Sequence, residues 1–132
     1  MNQEGLFQNS VGTLYAIQDN FLYLKYAGNV ELQKDDFEFF VIHLSEYASE
    51  NGKFALIVEV PEDTTYSVET MSFITNRKYQ GRLTTAIALV GSLELRSEDS
   101  EKYHANLEGI IPSKSFPSFI EAFQWIQQYV VE

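Results

Sequence analysis

Cysteine is absent from this chain of 132 residues, which excludes a disulfide framework and a thiolate metal site. A chain without thiols suits a reducing compartment, so we expect it in the cytoplasm. Basic residues are scarce, because nine Lys and Arg oppose 19 Asp and Glu and the formal net charge is −10. This charge repels polyanions, so nucleic acid is not an expected partner.

Long apolar runs are also absent, as are the basic and apolar segments of a signal peptide, so we expect no membrane insertion. Hydrophobic residues nevertheless make up 45% of the chain, and aromatic residues 14%. This apolar content is sufficient for one domain with its own core. We predict a flexible lead-in over residues 1–11 and a single domain over residues 12–132.

Residues 13–17 and 21–26 form two short aromatic runs on either side of Asp19 and Asn20, which tolerate positive φ in tight turns. They predict an antiparallel hairpin. A helix is predicted over 32–49, because apolar residues recur there at helical spacing and Asn51-Gly52 is a typical stop. Its core-facing stripe consists of Phe37, Phe40, Val41, Leu44 and Ala48.

Residues 54–60 and 84–90 are nearly continuous apolar runs, typical of strands that are buried on both faces of a sheet. Between them we predict a helix that begins after Ser67 and ends at Gly81. Two strands joined through a helix make a βαβ unit, in which the strands are parallel. These two strands therefore belong at the centre of the sheet.

The last third of the chain begins with a polar stretch, 93–109, in which we predict a surface helix. A strand is predicted at 110–116, and Pro112 places it at a sheet edge or a strand start. Ser118 and Glu121 have the spacing of a capping box for a final helix. The complete order predicts an α/β fold, a single mixed sheet of about five strands with helices packed against it.

Three stretches resemble the SpoIIAA-like (STAS) proteins of bacteria: residues 22–28, residues 86–92, and a Pro-x-Lys-x-Phe strand followed by an acidic helix that carries Trp125. The resemblance extends over nearly the whole chain from about Gly12. It implies a STAS-like fold and a non-enzymatic module that binds protein partners, and some relatives hold small or lipophilic ligands.

In the anti-sigma factor antagonists of that family, a Ser or Thr in an Asp-Ser-Ser/Thr-Gly motif begins the second helix and is phosphorylated by a partner kinase. Asp63, Thr64 and Thr65 are the nearest counterpart, so the resemblance makes Thr65 the phosphorylatable position. The chain departs from the motif, because Tyr66 replaces its glycine and two extra residues precede it.

The loop 61–67 is also a candidate site from the residues alone, because partners and ligands gather beyond the carboxyl ends of strands in open α/β sheets. A helix beginning after Ser67 adds unpaired N–H groups that attract a phosphate or a carboxylate. The alternative interpretation makes Ser67 an N-cap and the threonines turn residues. We take the partner-binding or phosphorylation candidates to be Asp63, Thr64, Thr65 and Ser67.

No Gly-rich phosphate loop, nucleophile elbow or His-Glu-x-x-His pattern occurs, so we predict that the chain is not an enzyme and needs no cofactor. His104, Glu101 and Glu108 have the spacing of neighbours on a helix and form the best metal candidate. An exposed polar helix produces such triplets by chance, and we predict no metal site.

Two further surfaces carry candidate residues. Tyr23, Tyr26 and Trp125 are candidates for a pocket between helix and sheet, which needs roughly 300 Å³ or more to hold a lipophilic ligand. Phe39 and Ile42 project away from the core-facing stripe and are candidates for a homodimer interface.

The leading hypothesis for the function is a regulatory or scaffolding module that binds a protein partner through the loop 61–67 and the start of the next helix. The alternative is a small-molecule binding or sensing domain.

Overall fold

The computed structural model describes residues 4–61, 64–66, 83–91 and 111–130. Eight strands and two α-helices lie in this part of the chain, and a short 3-10 turn, Gln127–Tyr129, follows the second helix. In chain order the elements are β1 (Glu4–Asn9), β2 (Gly12–Gln18), β3 (Phe21–Tyr26), β4 (Glu31–Leu32), α1 (Lys34–Asn51), β5 (Phe54–Val60), β6 (Thr65–Tyr66), β7 (Thr84–Gly91), β8 (Ser113–Phe116) and α2 (Phe119–Ile126).

Six strands form one mixed sheet in the order β1-β2-β3-β5-β7-β8. The pairs β1–β2 and β2–β3 are antiparallel, whereas β3–β5, β5–β7 and β7–β8 are parallel. The predicted α/β class with a single mixed sheet is confirmed, and the sheet has six strands instead of about five. A separate pair of short parallel strands is formed by β4 and β6.

The additional strand is β1, which lies inside the segment that the sequence predicted as a lead-in. It pairs with β2, and a bulge between Gly5 and Phe7 interrupts the alternation of its side chains. Phe7 packs against the core, and its ring is stacked on His43 of α1 with the centroids 3.6 Å apart. Strand β1 therefore depends on tertiary contacts that its local sequence pattern does not reveal.

The hairpin predicted around Asp19 and Asn20 is confirmed, since β2 and β3 are antiparallel and Asn20 has a φ of 60°. The Asn20 side-chain amide donates to the carbonyl oxygens of Asn51 at 2.8 Å and Lys53 at 2.9 Å. The Asn20 backbone N–H donates to the Tyr47 hydroxyl at 2.8 Å. These bonds tie the hairpin turn to the C-terminal end of α1.

Helix α1 begins two residues later than predicted, because Glu31–Leu32 form β4. The carboxylate of Asp36 accepts the backbone N–H of Gln33 at 2.8 Å, which satisfies a donor at the helix start and places negative charge there. Gly52 has a φ of 86° and donates its N–H to the Ala48 carbonyl at 2.8 Å. The predicted stop at this glycine is confirmed.

The sheet has one of the two described helices on each face. β5 and β7 contribute side chains to both faces, as their continuous apolar runs predicted. The core between the sheet and α1 includes Leu14, Leu22, Leu24, Leu56, Ile87 and Leu89 from the sheet and Phe40 and Leu44 from the helix. The core between the sheet and α2 includes Phe21, Ile57, Ala86 and Ala88 from the sheet and Ala122 and Ile126 from the helix.

The end of the chain follows the sequence pattern closely. β8 follows Pro112 and lies at one edge of the sheet, as predicted. The Ser118 hydroxyl accepts the N–H of Glu121 at 3.3 Å and donates to the Glu121 carboxylate at 3.2 Å, so Ser118 is the N-cap of α2. The reciprocal bond of the predicted capping box, from the Ser118 backbone N–H to the Glu121 side chain, is not among the hydrogen bonds of the described residues.

Two predicted elements, the helix after Ser67 and the surface helix within 93–109, lie outside the described residues. Within the described ranges, neither helix is both long enough and apolar enough to span a bilayer.

Candidate functional site

Three segments meet where the parallel strands β3, β5 and β7 end. Because these strands are parallel, their carboxyl ends lie at the same edge of the sheet. The turn between β1 and β2 reaches this edge too, since Gly12 pairs with Tyr26 at the end of β3. We call residues 9–13, 25–30 and 64–65 together the carboxyl-edge surface.

Ala27 connects the three segments through its main chain. Its N–H donates to the Val11 carbonyl at 2.8 Å, and its carbonyl accepts the Thr64 hydroxyl at 2.5 Å. The N–H of Thr65 donates to the Val30 carbonyl at 2.9 Å, next to the β4–β6 pair. The described residues of the loop are thus fixed against the end of β3.

The two predicted threonines have opposite environments. Thr64 is completely buried and its hydroxyl is already engaged, so its role in this structure is to hold the loop. Thr65 is exposed at the carboxyl edge. Of the four candidates for partner binding, Thr65 is the one whose side chain is described at the surface, and the other two, Asp63 and Ser67, lie outside the described residues.

The strands β5 and β7 approach each other very closely at this edge. Gly91 has a φ of 94°, and a Cβ atom at this position would lie 2.1 Å from the Val60 carbonyl oxygen. Any other residue would collide with the backbone of β5. A glycine therefore sets the spacing of the two strand ends beneath the site.

Tyr23 lies on the α2 face near the same edge, where its hydroxyl donates to the Glu59 carboxylate at 2.7 Å. Its ring packs on Tyr15, with centroids 5.7 Å apart, and on Phe119, with centroids 4.7 Å apart. Burial, the hydrogen bond to Glu59 and the adjacent negative charge raise the pKa of Tyr23 well above its usual value. The Tyr23 hydroxyl therefore stays protonated and donates a hydrogen bond to the Glu59 carboxylate.

The three residues predicted to line one lipophilic pocket are divided between the two faces of the sheet. Tyr26 is completely buried on the α1 face and contacts the edge of the Phe40 ring. Tyr23 and Trp125 lie on the α2 face. The reason is the period of a strand: side chains three residues apart point to opposite faces of the sheet.

The two residues predicted for a homodimer interface on α1 differ in their exposure. Ile42 is 57% exposed, as predicted. Phe39 is half-buried, because it packs against the core and lies edge-on to Phe40 and His43. The sequence did not predict β1 as a strand. The contact of its Phe7 with His43 on this side of α1 was therefore not expected. Self-association through Ile42 stays a prediction, to be tested by sedimentation of wild type and Ile42→Glu.

No group of three His, Asp or Glu side chains in the described ranges is placed to hold a metal ion. His43 has its Nδ1 at 3.6 Å from the Glu46 carboxylate, one turn further along α1. The triplet of His104, Glu101 and Glu108 lies outside the described residues.

The sequence interpretation missed a shallow polar cleft of about 250 Å³ within the carboxyl-edge surface, on the side of the β1–β2 turn. The available signal was Asn9, which precedes Ser10 and Val11 in a typical turn sequence. Its side-chain oxygen accepts the N–H groups of Val11 at 2.9 Å and Gly12 at 3.0 Å. The polar side chains that line the cleft are Gln8, Asn9, Ser10, Thr13, Tyr15 and Lys25.

The sequence matches no family model and no curated protein. Solved structures do match the fold. An uncharacterized protein of the DUF3478 family with a SpoIIAA-like fold, from Shewanella loihica, is 17% identical with a TM-score of 0.62, over 92% of this chain and 98% of that one. Apo-SiaC from Pseudomonas aeruginosa is 10% identical with a TM-score of 0.50, over 89% of this chain and 100% of that one. The chain therefore has the SpoIIAA-like fold that the sequence resemblance predicted.

Proposed function

We propose that the chain is a non-enzymatic regulatory or scaffolding module that binds a protein partner through the carboxyl-edge surface around Thr65. The observation that carries this proposal is the contrast between the two threonines. The backbone at Thr65 is held by two hydrogen bonds, from the Thr64 hydroxyl to the Ala27 carbonyl and from the Thr65 N–H to the Val30 carbonyl, while the Thr65 side chain is exposed. A fixed backbone that presents an exposed side chain loses little conformational entropy when a partner binds.

The position of this surface in the fold supports the same proposal. Open α/β sheets bind their ligands and partners beyond the carboxyl ends of the strands. The SpoIIAA-like fold and the sequence resemblance both favour a protein as the occupant, because bacterial STAS domains typically bind proteins. The resemblance also suggests how binding is regulated, since it makes Thr65 the counterpart of a residue that is phosphorylated in relatives.

The test is a quantitative pull-down from a lysate of the host, with wild type, Thr65→Ala and Thr65→Asp as baits. Because the side chain is exposed, both variants are expected to keep the melting temperature of the wild type. A carboxylate at this position adds charge to the contact surface, so Thr65→Asp is expected to lose the proteins that the wild type retains.

Ser45→Asp is the matched control, because Ser45 is an exposed hydroxyl residue on α1 and the substitution adds the same charge. The control is expected to retain the partners of the wild type. If the Ser45→Asp and Thr65→Asp baits recover the same proteins as the wild type, the contact surface does not include Thr65 and the proposal is wrong.

A further inference from the structure

We propose that the polar cleft at the β1–β2 turn side of the carboxyl-edge surface binds a small oxyanion, a phosphate or carboxylate group, with Lys25 as the cation of the site. This inference goes beyond the proposed function and does not rest on it, because a free small ligand at this cleft requires no protein partner. It depends on the side chains that line the cleft, on their charges, and on the availability of the Lys25 ammonium and the Asn9 Nδ2 group.

The cleft brings together side chains that donate hydrogen bonds. Thr13 and Tyr15 lie on β2, Lys25 lies on β3, and the turn between β1 and β2 contributes Asn9 and Ser10. Thr13 and Lys25 are direct cross-strand partners. Side chains of direct partners on one face of a sheet are about 4.5–5.5 Å apart at Cβ, close enough to reach a shared ligand.

The charge of the cleft contrasts with that of the whole chain. The formal net charge is −10, with 19 acidic residues. None of the residues that line the cleft is acidic, and one is a lysine. The cleft is therefore a local exception in a chain whose overall charge repels anions, as expected where an anion must be selected at short range.

Lys25 makes no ion pair with any residue that the structure describes. The register partner of Lys25 on β5 is an acidic residue, Glu59. The Glu59 carboxylate instead accepts the hydroxyl of Tyr23. This bond gives Glu59 a neutral partner on the α2 face and leaves the ammonium of Lys25 available to a ligand.

The turn residue Asn9 presents its side chain in one orientation. Its Oδ1 atom accepts two backbone N–H groups, from Val11 and Gly12. These two bonds identify the oxygen of the amide and use both of its lone pairs. The Nδ2 group of Asn9 donates no hydrogen bond to a described residue, so it can donate to a ligand in the cleft. An amide held in this way is an oriented donor, and an oxyanion is an acceptor.

The size of the cleft limits the ligand. About 250 Å³ is less than the usual volume of a site for a drug-sized molecule, roughly 300–1,000 Å³. The space fits a phosphate or carboxylate group with a few attached atoms. Hydrogen bonds from a lysine and from hydroxyl groups are stronger to an ionised acceptor than to a neutral one.

The experiment is an NMR titration of the full-length ¹⁵N-labelled chain at constant pH. Inorganic phosphate is one probe and acetate the other, with sodium chloride added to a parallel sample at matched ionic strength. The amides of residues 9–13 and 25–27 are expected to shift in a saturable way with at least one probe and not with chloride. Saturation by phosphate alone, by acetate alone or by both supports the site and identifies the oxyanion class that it takes.

Lys25→Gln is expected to weaken the binding about tenfold, because it replaces a charge-assisted hydrogen bond by a neutral one. Lys53→Gln is the matched control, since Lys53 is exposed, lies outside the cleft and is expected to leave the affinity unchanged. The proposal is overturned if neither probe gives saturable shifts, or if wild type and Lys25→Gln bind with the same affinity.

Discussion

Thr64 and Thr65 are consecutive residues with opposite roles, and this pair explains how the carboxyl-edge loop is both fixed and accessible. The buried hydroxyl of Thr64 donates to Ala27, so it joins the loop to the end of β3. The side chain of Thr65 is exposed and is therefore accessible to a partner. Each threonine can therefore be tested separately.

Thr64→Val keeps the shape of the side chain and removes its donor. We expect it to lower the free energy of unfolding by about 1–3 kcal/mol, because the Ala27 carbonyl is left without this bond in a buried place. Thr65→Val is the control, and we expect it to change stability by less than about 0.5 kcal/mol. Urea denaturation measures both values. Equal effects for the two variants would contradict the assignment of Thr64 as the anchor.

Tyr23 gives the protein a specific response to alkaline pH. The pKa of this phenol lies above its ordinary value of 10.0, first because of burial and then because of the Glu59 hydrogen bond. Above pH 10 the unfolded chain therefore releases a proton that the folded chain retains, so the free energy of unfolding falls as the pH rises. This contribution is fully present below pH 10 and is lost as the pH increases.

We expect Tyr23→Phe to lose stability less steeply than wild type above about pH 10, since phenylalanine has no proton to release. Unfolding by urea at a series of pH values measures the two slopes. Between about pH 7 and 9 the slopes of the two proteins should agree, because the phenol is neutral in both states there. Parallel curves above pH 10 would contradict the account of Tyr23.

Among the elements, β1 is the one whose attachment depends most visibly on a single ring contact. It pairs only with β2 in the described part of the sheet, and Phe7 stacks on His43 at 3.6 Å. Phe7→Ala removes this contact between β1 and α1. We expect the backbone amides of β1 to exchange with deuterium faster in this variant, while those of β5 and β7 keep their protection.

Leu6→Ala is the matched control for β1, because Leu6 lies at the bulge and is 36% exposed. Its amide exchange is expected to resemble that of the wild type. Equal acceleration in both variants would show that the strand responds to any loss of apolar area. In that case the Phe7–His43 contact would have no special role in holding β1.

Elements with strong local signals could be predicted from the sequence. The turn at Asn20, the stop at Gly52 and the N-cap at Ser118 each depend on residues that are close together in the chain. The strand β1 lacked such a signal, because a bulge interrupts its alternation and its apolar side chain, Phe7, packs on a distant helix. Local patterns do not contain contacts of this kind.

The candidate site was predictable in position but not in detail. The carboxyl edge follows from strand order, and Thr65 is exposed there. The burial of Thr64 depends on Ala27, which is 37 residues earlier in the chain, and no short pattern predicts that contact. The pocket of Tyr23 and Tyr26 was a different error, because their separation by three residues already excludes a shared face in one strand.

At the scale of the whole molecule, the described residues form one six-stranded sheet that packs against a helix on each face. α1 and α2 bury the faces, and the strand ends carry the exposed Thr65 and the polar cleft with Lys25. Partner binding at the carboxyl edge is the central claim.

The most direct measurement is photo-crosslinking in the host cell, with p-benzoylphenylalanine introduced in place of Thr65 and, as a control, in place of Gln124, which is exposed on α2. The cross-linked proteins are identified by mass spectrometry. We predict that position 65 captures one defined protein that position 124 does not, and that excess unlabelled wild type competes for it while Thr65→Asp does not. No specific product at position 65, or the same products from both positions, would contradict the claim that this edge binds the partner.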